Sequence, residues 1–221
     1  YTFDSNTTGT NNTVVGDGAL TGNTTASYNT AIGDVSMVAN TTGANNVAMG
    51  YQALNANTTA ADNVAIGSGA LKANTTGTFN TAVGRNALVT NTTGANNTAV
   101  GTYALMVNST AANNVAMGYQ SLDANTTGAG NTGLGMGSLS SNTTGGSNIA
   151  VGYSSLDANT TADRNVAVGY DSLGANTTGA SNTGVGMDVL RLNTTGAQNA
   201  AFGNASMYSN TTASYNTAYG G

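Results

Sequence analysis

The sequence predicts an all-β protein, a parallel β-solenoid (β-roll) of 13 coils with 17 residues and two short strands in each. Three observations carry that expectation. The triplet NTT, once varied to NST, begins at Asn6 and returns every 17 residues as far as Asn210, so thirteen units fill all 221 residues without insertion or deletion. Certain columns of the unit do not drift between copies: with Tyr1 as position 1, position 12 is always Asn, position 16 always Gly and position 3 always large and apolar. Composition then disfavours helix. Asn (33) and Thr (38) form about a third of the chain, both ranking low in helix propensity, and no copy offers the 10–12-residue amphipathic run that a helical repeat needs. Fixed-period self-similarity of this kind marks a stacked repeat protein. Residues 1–221 are therefore read as a single array, cut on repeat boundaries from a longer repeat protein.

The first strand is expected at positions 12–15, reading NTAV, NVAM or NVAI, and the second at positions 2–5, reading ALKA or SLDA. A glycine turn at positions 16–1 and an NTTG turn at positions 6–10 separate them. Position 3 (Phe3, Leu20, Met37, Leu54, Leu71, on to Met207) and position 15 (Val15, Ile32, Met49, Ile66, Val83, on to Phe202 and Tyr219) are the expected core columns. Identical residues in successive coils lie about 4.8 Å apart, so such columns build a core that no single coil could bury, and 13 coils make a rod about 60 Å long. Positions 2 and 14 stay small. Positions 1, 4, 11 and 17 accept Asp, Arg, Lys, Tyr, Met, Gly and Asn, the pattern of solvent-facing sites.

Two asparagine columns are candidate functional or structural sites. Position 12 comprises Asn12, Asn29, Asn46, Asn63, Asn80, Asn97, Asn114, Asn131, Asn148, Asn165, Asn182, Asn199 and Asn216. It is expected to form an amide ladder, each side chain bonding those above and below. Position 6 comprises Asn6, Asn23, Asn40, Asn57, Asn74, Asn91, Asn108, Asn125, Asn142, Asn159, Asn176, Asn193 and Asn210, each opening an N-x-T acceptor sequence for an N-linked glycan. The competing reading makes NTT a hydrogen-bonded turn or a second ladder. Position 12 is equally invariant without ever forming that sequon as a column, so invariance alone requires no sugar. Sugars about every 4.8 Å along one line would also crowd one another. Against the turn, Thr stands at position 8 in every copy. Further sequons at Asn11, Asn96 and Asn204 are sporadic.

The segments NVAMG (46–50), NVAIG (63–67), NTAVG (80–84 and 97–101) and NIAVG (148–152), each soon followed by AL or SL, resemble the left-handed β-roll repeats of YadA-like heads in trimeric autotransporter adhesins. Similar NTAVG…AL…NTTG arrays occur in bacterial surface proteins and phage tail-fibre shafts. The resemblance covers all thirteen units. It implies an extracellular rod at a cell surface or on an appendage, self-associating as a homotrimer or by end-to-end continuation, and used as a fibre or to attach to a host or substrate surface.

The residue inventory argues against catalysis. His, Cys and Glu are absent, which removes the usual bases, nucleophile pairs and zinc ligands, and no cofactor is expected. Nine Asp against four basic residues give a net charge of −5, opposed to nucleic-acid binding, and no apolar run of about 18 residues inserts into a membrane. Stacked acids, Asp17 with Asp34 and Asp171 with Asp188, read as solvated charge before they read as a Ca²⁺ site. Tyr153 and Tyr170 share position 17 and should stack. Two function classes remain: a structural extracellular fibre, with or without a glycan coat, and an ice-binding solenoid. The NNTVVG stretch (11–16) is similar to the NxVxG coils of grass ice-recrystallisation inhibitors, but the adjacent Thr at positions 7 and 8 point to opposite faces and give a narrow array.

Overall fold

A computed structural model describes residues 3–220. Among these residues regular structure consists of thirteen three-residue strands and no helix: β1 (Thr13–Val15), β2 (Thr30–Ile32), β3 (Val47–Met49), β4 (Val64–Ile66), β5 (Thr81–Val83), β6 (Thr98–Val100), β7 (Val115–Met117), β8 (Thr132–Leu134), β9 (Ile149–Val151), β10 (Val166–Val168), β11 (Thr183–Val185), β12 (Ala200–Phe202) and β13 (Thr217–Tyr219). The chain divides into two compact units, residues 1–112 and 113–221. In the first, β1 to β6 pair in chain order, all parallel; in the second, β7 to β13 do the same. Each residue pairs with the one 17 places on, as Val47 with Val64 and Val64 with Thr81. The fold is the parallel β-solenoid expected from the period.

One strand per coil replaces the expected two. Positions 2–5 do bond to the next coil, Leu54 N–H to the Ala70 carbonyl at 2.9 Å and Ala56 N–H to the Lys72 carbonyl at 2.9 Å. They are nonetheless turns, because positions 1 and 3 both take positive φ: Gln52 56°, Leu54 50°, Leu88 52°, Leu156 52°. The Gly50 carbonyl accepts from Ala53 N–H and the Leu54 carbonyl from Asn57 N–H, closing two successive turns that reverse the chain. A left-handed Leu costs about 1–2 kcal/mol, and full burial of its side chain returns about 1.5–3 kcal/mol. Position 3 thus keeps its strained backbone because every such Leu from Leu20 to Leu190 is fully buried.

The core also differs from the expectation at position 15. Strand residues alternate faces, and the inward one is position 14: Ala31, Ala48, Ala65, Ala82, Ala99, Ala116, Ala150, Ala167 and Ala201 are completely buried. Positions 13 and 15 therefore point outward, and Met49, Ile66 and Met117 stand well exposed. The interior is a thin sandwich of Leu at position 3, Ala or Ser at position 2, Ala or Gly at position 14, and the two asparagine columns. Where Val189 enlarges position 2, the facing Gly184 has no Cβ; one added there would come within 2.9 Å of Val189 Cγ1. Gly at position 16 is required for a second reason. Gly67 has φ +130°, and a Cβ would sit 2.6 Å from the Gly84 carbonyl oxygen one coil on. No described helix is long and apolar enough to cross a membrane.

Candidate functional site: asparagine ladders, outer sheet face and surface grooves

The sequon asparagines lie inside the coil. Eleven of them, Asn23 through Asn193 at 17-residue steps, have no exposed surface. Their Nδ2 groups donate twice. Asn57 Nδ2 bonds Asn40 Oδ1 at 2.8 Å and the Ala60 carbonyl at 3.0 Å, while Asn57 Oδ1 accepts from Asn74 Nδ2 at 3.2 Å. The first bond links coils and the second closes the NTTG turn. The same pair recurs at Asn40, Asn91, Asn142, Asn159 and Asn193. An N-linked glycan replaces one hydrogen of this amide and needs Nδ2 at the surface. At the eleven buried sites, both hydrogens are engaged and the folded coil leaves the sugar no room. Asn6 and Asn210 are partly exposed, though each still donates to its turn carbonyl.

The side-chain ladder expected at position 12 is thus built chiefly at position 6. Position 12 bonds mostly to backbone. Asn46 Oδ1 accepts from the Asn63 backbone N–H at 3.0 Å, and Asn63 Nδ2 donates to the Gly77 carbonyl in the next coil at 3.0 Å. Amide-to-amide contact at position 12 is longer, 3.3 Å between Asn63 and Asn46. Eleven of these asparagines are also buried, Asn29 through Asn199. Asn165 Nδ2 alone among the described buried side-chain atoms lacks a partner. Identical residue type and invariance hid this difference of role from the sequence.

The two threonines of the triplet differ as well. Position 7 turns its hydroxyl to the carbonyl of position 7 in the next coil, as Thr41 to Thr58 at 3.0 Å, and that carbonyl also accepts the backbone N–H groups of Thr41 and Thr42. Position 8 is exposed in every coil from Thr8 to Thr212.

On the outer sheet face, position 15 runs Val15, Ile32, Met49, Ile66, Val83, Val100 in the first unit and Met117, Leu134, Val151, Val168, Val185, Phe202, Tyr219 in the second. Position 13 beside it carries Thr, Val, Ile or Ala. Neither column contains a charge. Two-residue spacing places Thr13, Thr30, Thr81 and Thr98 on the same face as position 15, a pairing that attention to the NTT threonines missed. Position 17 adds exposed Tyr119, Met136, Tyr153, Tyr170 and Met187 in the second unit. Tyr153 and Tyr170 stack as expected, centroids 5.4 Å apart and planes 8° from parallel, and Phe202 stacks on Tyr219 at 5.1 Å.

Charged groups gather on positions 1 and 4, which are half-buried rather than fully solvated. Asp171 and Asp188 do not frame a cation between them: Arg191 Nε lies 2.6 Å from Asp171 Oδ2 and 3.3 Å from Asp188 Oδ1. No group of three potential metal-ligating side chains occurs among the described residues. Burial pushes the Asp157 carboxyl up, with the nearby Asp171 charge adding to it, and burial likewise raises Asp123.

The class defined by these features is the parallel β-solenoid with polar ladders inside and an uncharged apolar sheet face outside. Compared with protein-family models, curated proteins and solved structures, the chain matches none.

Proposed function

We propose that the chain is a stretch of an extracellular structural fibre, and that copies of it pack together through the outer sheet face, as a homotrimer of the kind its repeat motif implies. One observation carries this reading: an all-parallel sheet whose outward columns are continuously apolar. All-parallel sheets are ordinarily covered on both faces, and contiguous exposed apolar surface marks an interaction site. Uniform repeats suit a second copy as the cover, because every coil presents the same two columns to an identical neighbour. Such a fibre carries bare NTT turns, and any attachment to a host or substrate surface belongs to its variable columns.

The absence of cysteine makes a clean test available. Val168→Cys on the sheet face should form an interchain disulfide on mild oxidation, whereas Thr161→Cys, on the exposed NTT turn, should stay monomeric on reducing-versus-oxidising gels. Equal cross-linking at both positions, or none at Val168→Cys, argues against the proposal. A second reading rests on the threonines of position 13, whose side-by-side array with position 15 is of the T-x-V type that can order water into ice. The bulky Met49, Met117, Phe202 and Tyr219 interrupt its level, which favours a protein partner. Inhibition of ice recrystallisation by the unmodified chain would reverse that preference.

A further inference from the structure

Two grooves lie along positions 1 and 4 of the second unit. One, of about 450 Å³, is lined by Gln120, Asp123, Gly137 and Ser140. The other, of about 240 Å³, is lined by Tyr153, Ser154, Asp157, Asp171 and Gly174. Each forms where a glycine interrupts a column of side chains, Gly137 at position 1 and Gly174 at position 4. At Gly174 the Asp171 carboxylate occupies the space a Cβ would need, and in that position it meets Arg191. Arg191 is thereby engaged by Asp171 and Asp188.

Asp123 and Asp157 are left facing their grooves without an ion pair among the described residues. In a chain with only four basic side chains, this is a marked imbalance of charge. Both carboxyls are half-buried and pushed up by the loss of water around them. A carboxylate held in that state gains from a cation that also donates hydrogen bonds. The two acids share position 4 and stand two coils apart, about 10 Å at the spacing of stacked strands. Only the small Ser140 intervenes in the column. One metal ion does not bridge that gap, since its ligands lie within about 2.6 Å of it. A flexible chain with a positive charge at each end does.

From this geometry we infer that the two grooves together bind a linear aliphatic polyamine, one protonated amine on Asp123 and the other on Asp157, with its methylenes crossing Ser140. The Tyr153 ring, fixed by its stack on Tyr170, walls the second groove and offers an aromatic neighbour to the ammonium. Binding at two points makes the second contact intramolecular, so a diamine should hold far better than a monoamine.

The test is calorimetric titration of the whole chain with spermidine at about 0.15 M salt, where loose surface attraction is screened. Saturable binding is expected, with propylamine at least about tenfold weaker. Asp123→Asn and Asp157→Asn should each weaken spermidine about tenfold, while Asp62→Asn, an exposed acid of the first unit, should leave it unchanged. Circular dichroism melts establish that the variants fold. Heat that does not saturate, equal binding of propylamine, or an equal loss in Asp62→Asn would overturn the inference.

Discussion

At the scale of single residues, burial and hydrogen bonding separate columns that look alike in sequence. Asn57 is the instructive case. Replacing it by Ala removes an amide whose neighbours Asn40 Oδ1 and Ala60 carbonyl then lose their donor, at a cost of about 1–3 kcal/mol. Asn57→Asp should be worse than Ala, because a buried carboxylate faces those same two acceptors. Urea denaturation of the two variants checks the order; an exposed acceptor asparagine would tolerate both. Gly67→Ala should disrupt its coil, since the left-handed φ and the Gly84 carbonyl both oppose a Cβ. Asp123 and Asp157 predict a pH effect of definite sign. Their folded pKa values lie above the ordinary 3.8, so folding binds protons. The associated stability is present below the unfolded value and is lost as pH rises through the folded one. Asp157→Asn should therefore flatten this part of the melting temperature's dependence between about pH 3 and 7. Without bound amine, it should also raise the melting temperature at neutral pH.

Single coils show where sequence legibility ends. The 17-residue period, the first strand, the buried position 3 and the structural status of position 12 were all readable, because each leaves a column in thirteen aligned copies. The second strand was not. Leu at positive φ runs against its backbone preference, and only the stacked neighbours that bury Leu54 or Leu88 make that conformation worthwhile. The facing of position 15 was hidden for a different reason: three residues are too short a strand to display alternation, and both Ala at 14 and Val at 15 are apolar. The grooves depend on two glycines that interrupt otherwise filled columns, so they belong to particular coils and not to the repeat. Packing across the coil gives a direct check. Gly184→Ala should destabilise by about 1–3 kcal/mol through the clash with Val189, and adding Val189→Ala should restore most of it in a double-mutant cycle. Leu88→Ala should cost about 2–5 kcal/mol in denaturation experiments.

For the molecule as a whole, the account joins an interior that needs little apolar volume to an exterior that retains too much of it. Asparagine ladders and backbone bonds to the coils on either side supply the specificity inside, where long-range contacts repeat at a constant 17 residues. Outside, positions 13 and 15 place an uncharged sheet face in a chain that has few charges to keep copies apart. Self-association through that face is the central functional claim, and sedimentation equilibrium of the unmodified chain tests it most directly. The account predicts a species of three times the 21.7 kDa chain mass that Val151→Asp returns to single chains. A 21.7 kDa particle at every concentration, unchanged by Val151→Asp, would contradict it.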